Sequence, residues 1–137
     1  MRIWVNGCFD VLHIGHIQLL EYAKTLGYVL VGVDSDERVK ELKGNDRPVN
    51  SLEHRVKMLE SLKFVDDVVT FDTDEELNYI LYFYQPNVIV IGDEYKTKKI
   101  IGSEYANKIE FFEKNIDIST TKILNKKNKK NGKFKII

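Results

Sequence analysis

Asn6-Gly7-Cys8-Phe9-Asp10-Val11-Leu12-His13-Ile14-Gly15-His16 is the stretch around which the rest of the chain is organised. A short apolar strand pattern ends where it starts, and an amphipathic helical pattern begins near His13. Helix N-termini present unpaired N–H groups and a positive partial charge, which suit phosphate. His13 and His16 add imidazole groups, whose charge can change near neutral pH. The stretch therefore indicates a phosphate-handling site at a strand-to-helix turn.

The two histidines also have plainer interpretations. Residues three apart on a helix can lie on the surface or form half of a metal site. The usual zinc partners are missing, since Cys8 is the only cysteine and His54 is the only other histidine. From the spacing alone, phosphate chemistry and a surface position both stay open.

The composition is that of an ordinary soluble globular domain. The 137 residues are 43% hydrophobic and 31% charged, which suffices for one domain with its own core. No apolar run approaches a membrane span and no secretion signal follows Met1, so we expect no stable membrane association. A single cysteine excludes an intramolecular disulfide, and we expect a cytoplasmic protein.

The net charge of zero hides an asymmetry along the chain. Residues 122–137 contain seven lysines and no acidic residue, while residues 1–121 contain 14 basic and 21 acidic residues. An acidic body argues against a broad nucleic-acid surface, so we expect no nucleic-acid partner. We interpret the basic end as a solvated tail, with contact to polyphosphate, to RNA or to the acidic body as the alternative.

Strand-like and helix-like patterns alternate along the sequence. Apolar runs predict five strands, at residues 3–5, 28–33, 67–71, 88–91 and 109–112. Helical spacing, caps and stops predict helices at residues 13–26, 52–62 and 75–84, and a short helix around 103–106. A further short helix is capped at 34–36 and ends at 42, and a final helix begins near Lys122. This alternation predicts an α/β fold with a doubly wound, parallel, five-stranded sheet and right-handed crossovers.

The carboxyl edge of this sheet is where a ligand is expected to bind. Residues 6–10 and Gly92-Asp93 both follow strands at that edge, so they should meet in one cleft. No Gly-x-Gly-x-x-Gly follows the first strand and no Walker A loop is present, which makes dinucleotide oxidoreductases and P-loop enzymes poor matches.

One helix carries a group of aromatic residues. We expect these side chains to form a packing face and not a base-stacking platform: Tyr79, Tyr82, Phe83 and Tyr84.

Several motifs in order resemble the cytidylyltransferase-like nucleotidyltransferases of the His-x-Gly-His superfamily. They cover nearly all of residues 1–124 and comprise Gly7-Cys8-Phe9-Asp10 with His13-Ile14-Gly15-His16, Leu42-Lys43-Gly44 with Arg47-Pro48-Val49-Asn50, Glu53-His54-Arg55 with Val65-Asp66, Gly92-Asp93, and Ile118-Ser119-Thr120-Thr121-Lys122-Ile123. The resemblance implies a Rossmann-like nucleotidyltransferase domain at 1–124, followed by the basic tail at 125–137. It also implies Mg²⁺ as cofactor and a homodimer.

The resemblance further implies a reaction and roles for particular residues. A nucleotidyl group would pass from a nucleoside triphosphate to a phosphorylated small-molecule acceptor, with release of pyrophosphate and no covalent intermediate. His13, His16 and Lys43 would be catalytic, because they hold and neutralise phosphate oxygens. Nucleotide contacts would come from Gly7, Cys8, Phe9, Asp10, Gly15, Arg55, Asp93, Ser119, Thr120 and Thr121, with Asp10 as the candidate magnesium ligand.

Two branches of the family compete for the acceptor. Arg47-Pro48-Val49-Asn50, residues 71–74 and residues 100–104 are similar to the adenylyltransferase domain of heptose-phosphate enzymes. Glycerol-3-phosphate cytidylyltransferases usually carry Arg-Thr-x-Gly before Ser-Thr-Thr, where this chain has Lys114-Asn115-Ile116-Asp117. We therefore expect ATP or CTP as donor and a sugar phosphate of the heptose 1-phosphate type as acceptor.

Two alternatives to a nucleotidyltransferase share some of these motifs. A catalytically silent nucleotide-binding module would keep the same fold and motifs. A fragment of a class I aminoacyl-tRNA synthetase shares the His-Ile-Gly-His signature, but the chain lacks the second, lysine-rich signature loop of those enzymes.

Overall fold

A parallel sheet flanked by helices forms the centre of the molecule. The computed structural model describes residues 1–113 and 123–125. Its strands are β1 (Arg2–Gly7), β2 (Tyr28–Asp34), β3 (Asp67–Phe71), β4 (Val88–Gly92) and β5 (Lys108–Phe112). Its helices are α1 (Ile14–Leu26), α2 (Asp36–Lys43), α3 (Leu52–Glu60) and α4 (Asp74–Tyr84), and two 3-10 turns, Asp93–Tyr95 and Ser103–Tyr105, lie between β4 and β5.

The strand order creates a topological switch point beside β1. The order is β3-β2-β1-β4-β5 and every pairing is parallel. β1 pairs with β2 over six residue pairs but with β4 over only two, Ile3 with Val88 and Trp4 with Ile89. The two strands therefore part toward their carboxyl ends, and a cleft opens there, as in other doubly wound sheets.

Hydroxyl side chains fix where three of the helices begin. Ser35, Ser51 and Thr73 each accept a hydrogen bond from the backbone N–H three residues further on. Such a cap satisfies one of the four N–H groups that a helix leaves unpaired at its start, and its loss costs about 1 kcal/mol. The caps place the starts of α2, α3 and α4 within two residues of the predicted ones.

Two hydrophobic clusters cover the two faces of the sheet. One contains Ile3 and Val5 of β1 with Leu20 of α1, and the other contains Trp4 with Leu81 of α4. The alternation of side chains along a strand explains why neighbours in β1 belong to opposite clusters. Full burial of a side chain such as that of Leu20 stabilises the fold by about 1.5–3 kcal/mol.

The predicted fold class is confirmed, and so is each predicted strand and helix within residues 1–113. Residues 123–125 are helical, but the predicted helix start at Lys122 and the tail beyond residue 125 lie outside the described residues. No helix in the described ranges is long and apolar enough to cross a bilayer.

The predicted packing face of α4 is wrong for three of its four aromatic residues. Tyr79, Tyr82 and Phe83 are 63%, 53% and 64% exposed, and only Tyr84 packs inward, beside Trp4. The reason is the helical period, because the inward stripe of α4 is formed by residues 77, 80, 81 and 84. The other three side chains form a second stripe on the solvent side.

Candidate active site

A cleft of about 450 Å³ lies between the carboxyl ends of β1 and β4. Its floor includes the apolar side chains of Val5, Leu19 and Val90. One wall is the turn that leads into α1, another is α2 with the loop after it, and a third follows β4. The polar and glycine residues of these walls are Asn6, Gly7, Cys8, Asp10, His13, Gly15, His16, Asp34, Arg38, Lys43, Arg47, Gly92, Glu94 and Tyr95.

His13 and His16 close a reciprocal cap at the start of α1. The Gly15 N–H donates to His13 Nδ1 at 3.1 Å, and the His13 N–H donates to His16 Nδ1 at 3.2 Å. The two rings stack with centroids 3.8 Å apart. Because both Nδ1 atoms accept, the hydrogen-bond network assigns the ring hydrogen of each neutral imidazole to Nε2. Both histidines line the cleft, so two imidazole rings lie where the N-terminus of α1 favours an anion.

A strained turn holds this cap against the sheet. Phe9 has a φ of 50°, in the left-handed region that non-glycine residues rarely adopt. Its buried ring lies 5.2 Å from the ring of His16 and beside Gly7, where an added Cβ would come within 3.3 Å of it. The turn therefore helps to fix the His16 ring, as expected for strain stored at a functional site.

Asp10 serves as the anchor of the loop after α2. Its carboxylate accepts hydrogen bonds from the N–H groups of Val49 and Asn50 and from Arg47 Nε, all at 2.8–2.9 Å. Burial of Asp10 would raise its pKa, but the backbone N–H groups and Arg47 outweigh this and hold the pKa below its ordinary value. With 2% of the residue exposed, these contacts argue against the predicted role as magnesium ligand, because an ion would have to displace them.

Arg55 lies beneath the cleft and not on its lining. Its guanidinium donates to three backbone carbonyls, at 3.0 Å to Asn50, 2.9 Å to Cys8 and 2.8 Å to Asp34. It also pairs with the Asp36 carboxylate at 2.7 Å, and the residue is 1% exposed. These contacts argue against the predicted contact with the nucleotide. Arg55 instead ties together the three loops that shape the site.

Cations of different kinds line the α2 side of the cleft. Lys43 is exposed at the end of α2, where Gly44, with a φ of 109°, ends the helix. Arg47 is buried in its ion pair with Asp10, and Arg38 pairs with Asp34 at 2.7 Å and with Asp74 at 2.8 Å. Lys43 is therefore the cation of this wall that is placed to reach a phosphate.

Cys8 lines the cleft as a neutral thiol. Burial, followed by the neighbouring Asp34 carboxylate, raises its pKa to about 12. Its Sγ–H donates to Asp34 Oδ2 at 3.4 Å. A thiol with such a pKa is a poor nucleophile, which agrees with a packing role.

The turn after β4 places residues other than the predicted Asp93 on the cleft. In the described part of the chain, Glu94 and Tyr95 line the cleft, whereas Asp93 starts the 3-10 turn outside it. An added Cβ at Gly92 would come within 2.4 Å of the Glu94 carboxylate, so a larger residue at this position would require the Glu94 side chain to move. Burial, together with Glu94, raises the pKa of Tyr95, and its hydroxyl stays protonated as a donor.

The structure brings most predicted residues together and adds others. Gly7, Cys8, Phe9, Asp10, His13, Gly15, His16 and Lys43 all line one cleft. The predicted contacts at Ser119, Thr120 and Thr121 lie outside the described residues. Asn6 lines the cleft, as expected for residues 6–10. The sequence analysis missed Asp34, Arg38, Glu94 and Tyr95 as site residues; of these, Asp34 and Glu94 could have been found from their places near the ends of β2 and β4.

Comparisons with known proteins identify the family. A model described as cytidylyltransferase-like matches residues 4–126. A protein named "Bifunctional protein HldE" from Campylobacter fetus subsp. fetus is 47% identical over 125 residues, which are 90% of this chain and 27% of that protein. One of the same name from Nitratiruptor sp. is 43% identical over 123 residues, 89% of this chain and 26% of that protein. The chain thus spans about a quarter of the length of the curated relatives it matches.

Solved structures share the fold. A lipopolysaccharide core biosynthesis protein from Thermoplasma volcanium GSS1 superposes with a TM-score of 0.65 at 23% identity, over 84% of this chain and 96% of that one. A protein of unknown function from Archaeoglobus fulgidus superposes with a TM-score of 0.58 at 19% identity, over 85% of this chain and 90% of that one. With the family model covering nearly the whole chain, the chain belongs to the cytidylyltransferase-like family of nucleotidyltransferases.

Proposed function

We propose that the chain transfers a nucleotidyl group from ATP or CTP to a phosphorylated small-molecule acceptor and releases pyrophosphate. The observation that carries this proposal is the stacked pair of His13 and His16 at the N-terminus of α1, inside the cleft at the switch point. A helix N-terminus and two imidazole N–H donors suit a triphosphate, whose negative charge grows on the leaving group during transfer.

The residues act by positioning and by charge stabilisation. An acceptor phosphate oxygen attacks the α-phosphorus in line, the bond to the β-phosphate oxygen breaks, and pyrophosphate leaves with the electron pair. His13 and His16 donate to the departing phosphates, and Lys43 neutralises phosphate oxygens from the opposite wall. Ser119, Thr120 and Thr121 supply hydroxyl and backbone donors to the β- and γ-phosphates.

Mg²⁺ fits this chemistry as an ion carried mainly by the substrate. Among the described residues, no group of three histidine, cysteine or acidic side chains could hold a metal. Magnesium sites of triphosphate enzymes commonly use phosphate oxygens, water and one or two carboxylates. Glu94 is an exposed carboxylate on the cleft and is the residue that could complete such a set. The ion would neutralise charge on the triphosphate when bound.

For the acceptor, we propose a sugar phosphate of the heptose 1-phosphate type. The support is the similarity of residues 47–50, 71–74 and 100–104 to the heptose branch of the family. The first of these segments is the loop that Asp10 anchors beside the cleft. We further propose that the protein forms a homodimer, is located in the cytoplasm and has no nucleic-acid partner.

The test is pyrophosphate release with Mg²⁺, with ATP and CTP each combined with heptose 1-phosphate, a hexose 1-phosphate and glycerol 3-phosphate. Turnover with a sugar 1-phosphate supports the proposal. Turnover with CTP and glycerol 3-phosphate alone would keep the reaction and refute the acceptor. No release with any pair, while either nucleotide binds tightly, would instead establish a silent nucleotide-binding module.

A further inference from the structure

Asp34 and Arg38 form a fixed ion pair on the cleft wall that the proposed reaction does not yet use. Asp34 is the last residue of β2, and Arg38 lies four residues later on α2. Arg38 Nε donates to Asp34 Oδ1 at 2.7 Å, and Nη2 pairs with Asp74 at 2.8 Å. The guanidinium also lies over the Phe71 ring, 5.2 Å from its centroid. Held from three sides, the pair is preorganised.

The ion pair does not use all the hydrogen-bonding capacity of its two side chains. Within residues 1–113 and 123–125, the contacts of Arg38 use Nε and Nη2, and Nη1 has no hydrogen-bond partner. Nη1 is also not a buried unpaired atom, so solvent or a ligand can reach it. Asp34 Oδ2 accepts only the weak Cys8 thiol donor there. Both residues line the cleft. The pair thus presents an N–H donor beside a carboxylate acceptor.

The charge of this cluster favours hydroxyl groups over phosphate. Arg38 contacts two carboxylates, so the three side chains together carry one net negative charge. A phosphate would be repelled by that surplus, whereas a hydroxyl group can donate to Asp34 and accept from Arg38. In dinucleotide-binding sheets, an acidic residue in a comparable place hydrogen-bonds a ribose hydroxyl, so a carboxylate here has the chemistry to bind a sugar hydroxyl.

The position of the pair on α2 indicates whose hydroxyls it meets. Lys43 lies five residues beyond Arg38 on the same helix, which is about 7.5 Å along the axis. One wall thus carries a phosphate-seeking cation and a hydroxyl-binding pair side by side, with the apolar Leu42 between them in sequence. Building on the proposed function, we propose that Asp34 and Arg38 bind ring hydroxyls of a sugar phosphate acceptor and select it over shorter polyol phosphates.

The experiment compares Arg38→Met and Asp34→Asn with the control Glu37→Gln, which removes an exposed charge on the same helix at a position outside the cleft. We expect each of the first two changes to raise KM for the sugar 1-phosphate about ten- to hundredfold, the effect of a lost charged hydrogen bond. KM for the nucleotide should stay within about twofold, and the control should stay close to wild type. Circular dichroism verifies folding of each variant.

A binding measurement judges the pair separately from turnover. Calorimetry with a hexose 1-phosphate and with inorganic phosphate should show that Arg38→Met loses more affinity for the sugar phosphate than for phosphate, because only the sugar phosphate also loses a hydroxyl contact. Unchanged sugar phosphate affinity would overturn the inference, as would a rise confined to the nucleotide KM, which would point to the ribose. Wild-type protein that binds the sugar phosphate through the pair but never turns over would refute the proposed function alone.

Discussion

Replacing Asp10 with asparagine tests whether this carboxylate is an anchor or a ligand. The carboxylate accepts from three N–H donors, and its ion pair with Arg47 is buried on both sides. An asparagine of the same size keeps one acceptor oxygen and turns an NH₂ group toward the remaining donors. Removing one partner of a buried pair costs about 3–5 kcal/mol. That is a large part of the 5–15 kcal/mol by which domains are typically stable.

The same change should depend on pH in a defined direction. The folded pKa of Asp10 lies below its ordinary value of 3.8, because hydrogen bonds to the charged form outweigh burial. A lowered pKa means that the stabilisation is fully present above pH 3.8 and is lost as pH falls through the folded pKa. The stability difference between wild type and Asp10→Asn should therefore be constant from about pH 5 to 8 and shrink below about pH 3.8.

Urea unfolding followed through the fluorescence of Trp4, the only tryptophan, measures this difference. The control is Asp46→Asn, an exposed aspartate on the same loop, which should change stability by less than about 0.5 kcal/mol. An Asp10→Asn protein as stable as wild type that has lost affinity for the magnesium–nucleotide complex would refute the anchor and restore the predicted metal ligand.

Three further changes have expected outcomes. Arg55→Met should lower the free energy of unfolding by about 3–5 kcal/mol in urea titrations, because it removes the donor of three loop carbonyls and one of the two donors of the Asp36 carboxylate. Unchanged stability with a raised nucleotide KM would mean that Arg55 contacts the nucleotide directly. Cys8→Ser should keep turnover within a few-fold, and Cys8 should resist iodoacetamide at pH 8, since its pKa of about 12 leaves little thiolate; rapid alkylation would contradict this. Gly32→Ala should cost about 1–3 kcal/mol in the same unfolding assay, because its Cβ would come within 2.4 Å of the Trp4 ring; no loss would show that the ring moves easily.

The architecture was predictable because it follows from local patterns. Apolar runs gave the strands, and serine and threonine caps gave the helix starts, so the switch point followed from the alternation of elements. The His13 and His16 pair was predictable for the same reason, since a strand-to-helix turn places both at one helix end.

The roles of polar residues away from that turn depend on partners distant in sequence. Arg55 contacts carbonyls 21 and 47 positions away, and no local pattern shows that its guanidinium is fully used. Asp10 is occupied by a loop about 40 residues later. A family motif marks such residues as important, but only the three-dimensional contacts separate positioning from binding.

The exposed stripe of α4 shows a second limit. Aromatic residues suggested a packing face, yet the period of the helix turned Tyr79 and Phe83 outward while Leu77 and Leu81 face the sheet. The aromatic content of a helix indicates that it packs against the rest of the protein. The positions of the apolar residues within the 3.6-residue helical repeat determine which face of the helix does so.

The most direct test of the central claim is pyrophosphate release by His16→Ala at saturating nucleotide and acceptor. The control is His54→Ala, which removes an exposed histidine whose backbone N–H, and not its side chain, meets the Ser51 cap. We predict a fall in kcat of about a hundredfold or more for His16→Ala, with nucleotide binding retained and the control unchanged. A kcat equal to wild type, with nucleotide still bound, would contradict the assignment of the histidine pair to stabilising the leaving pyrophosphate.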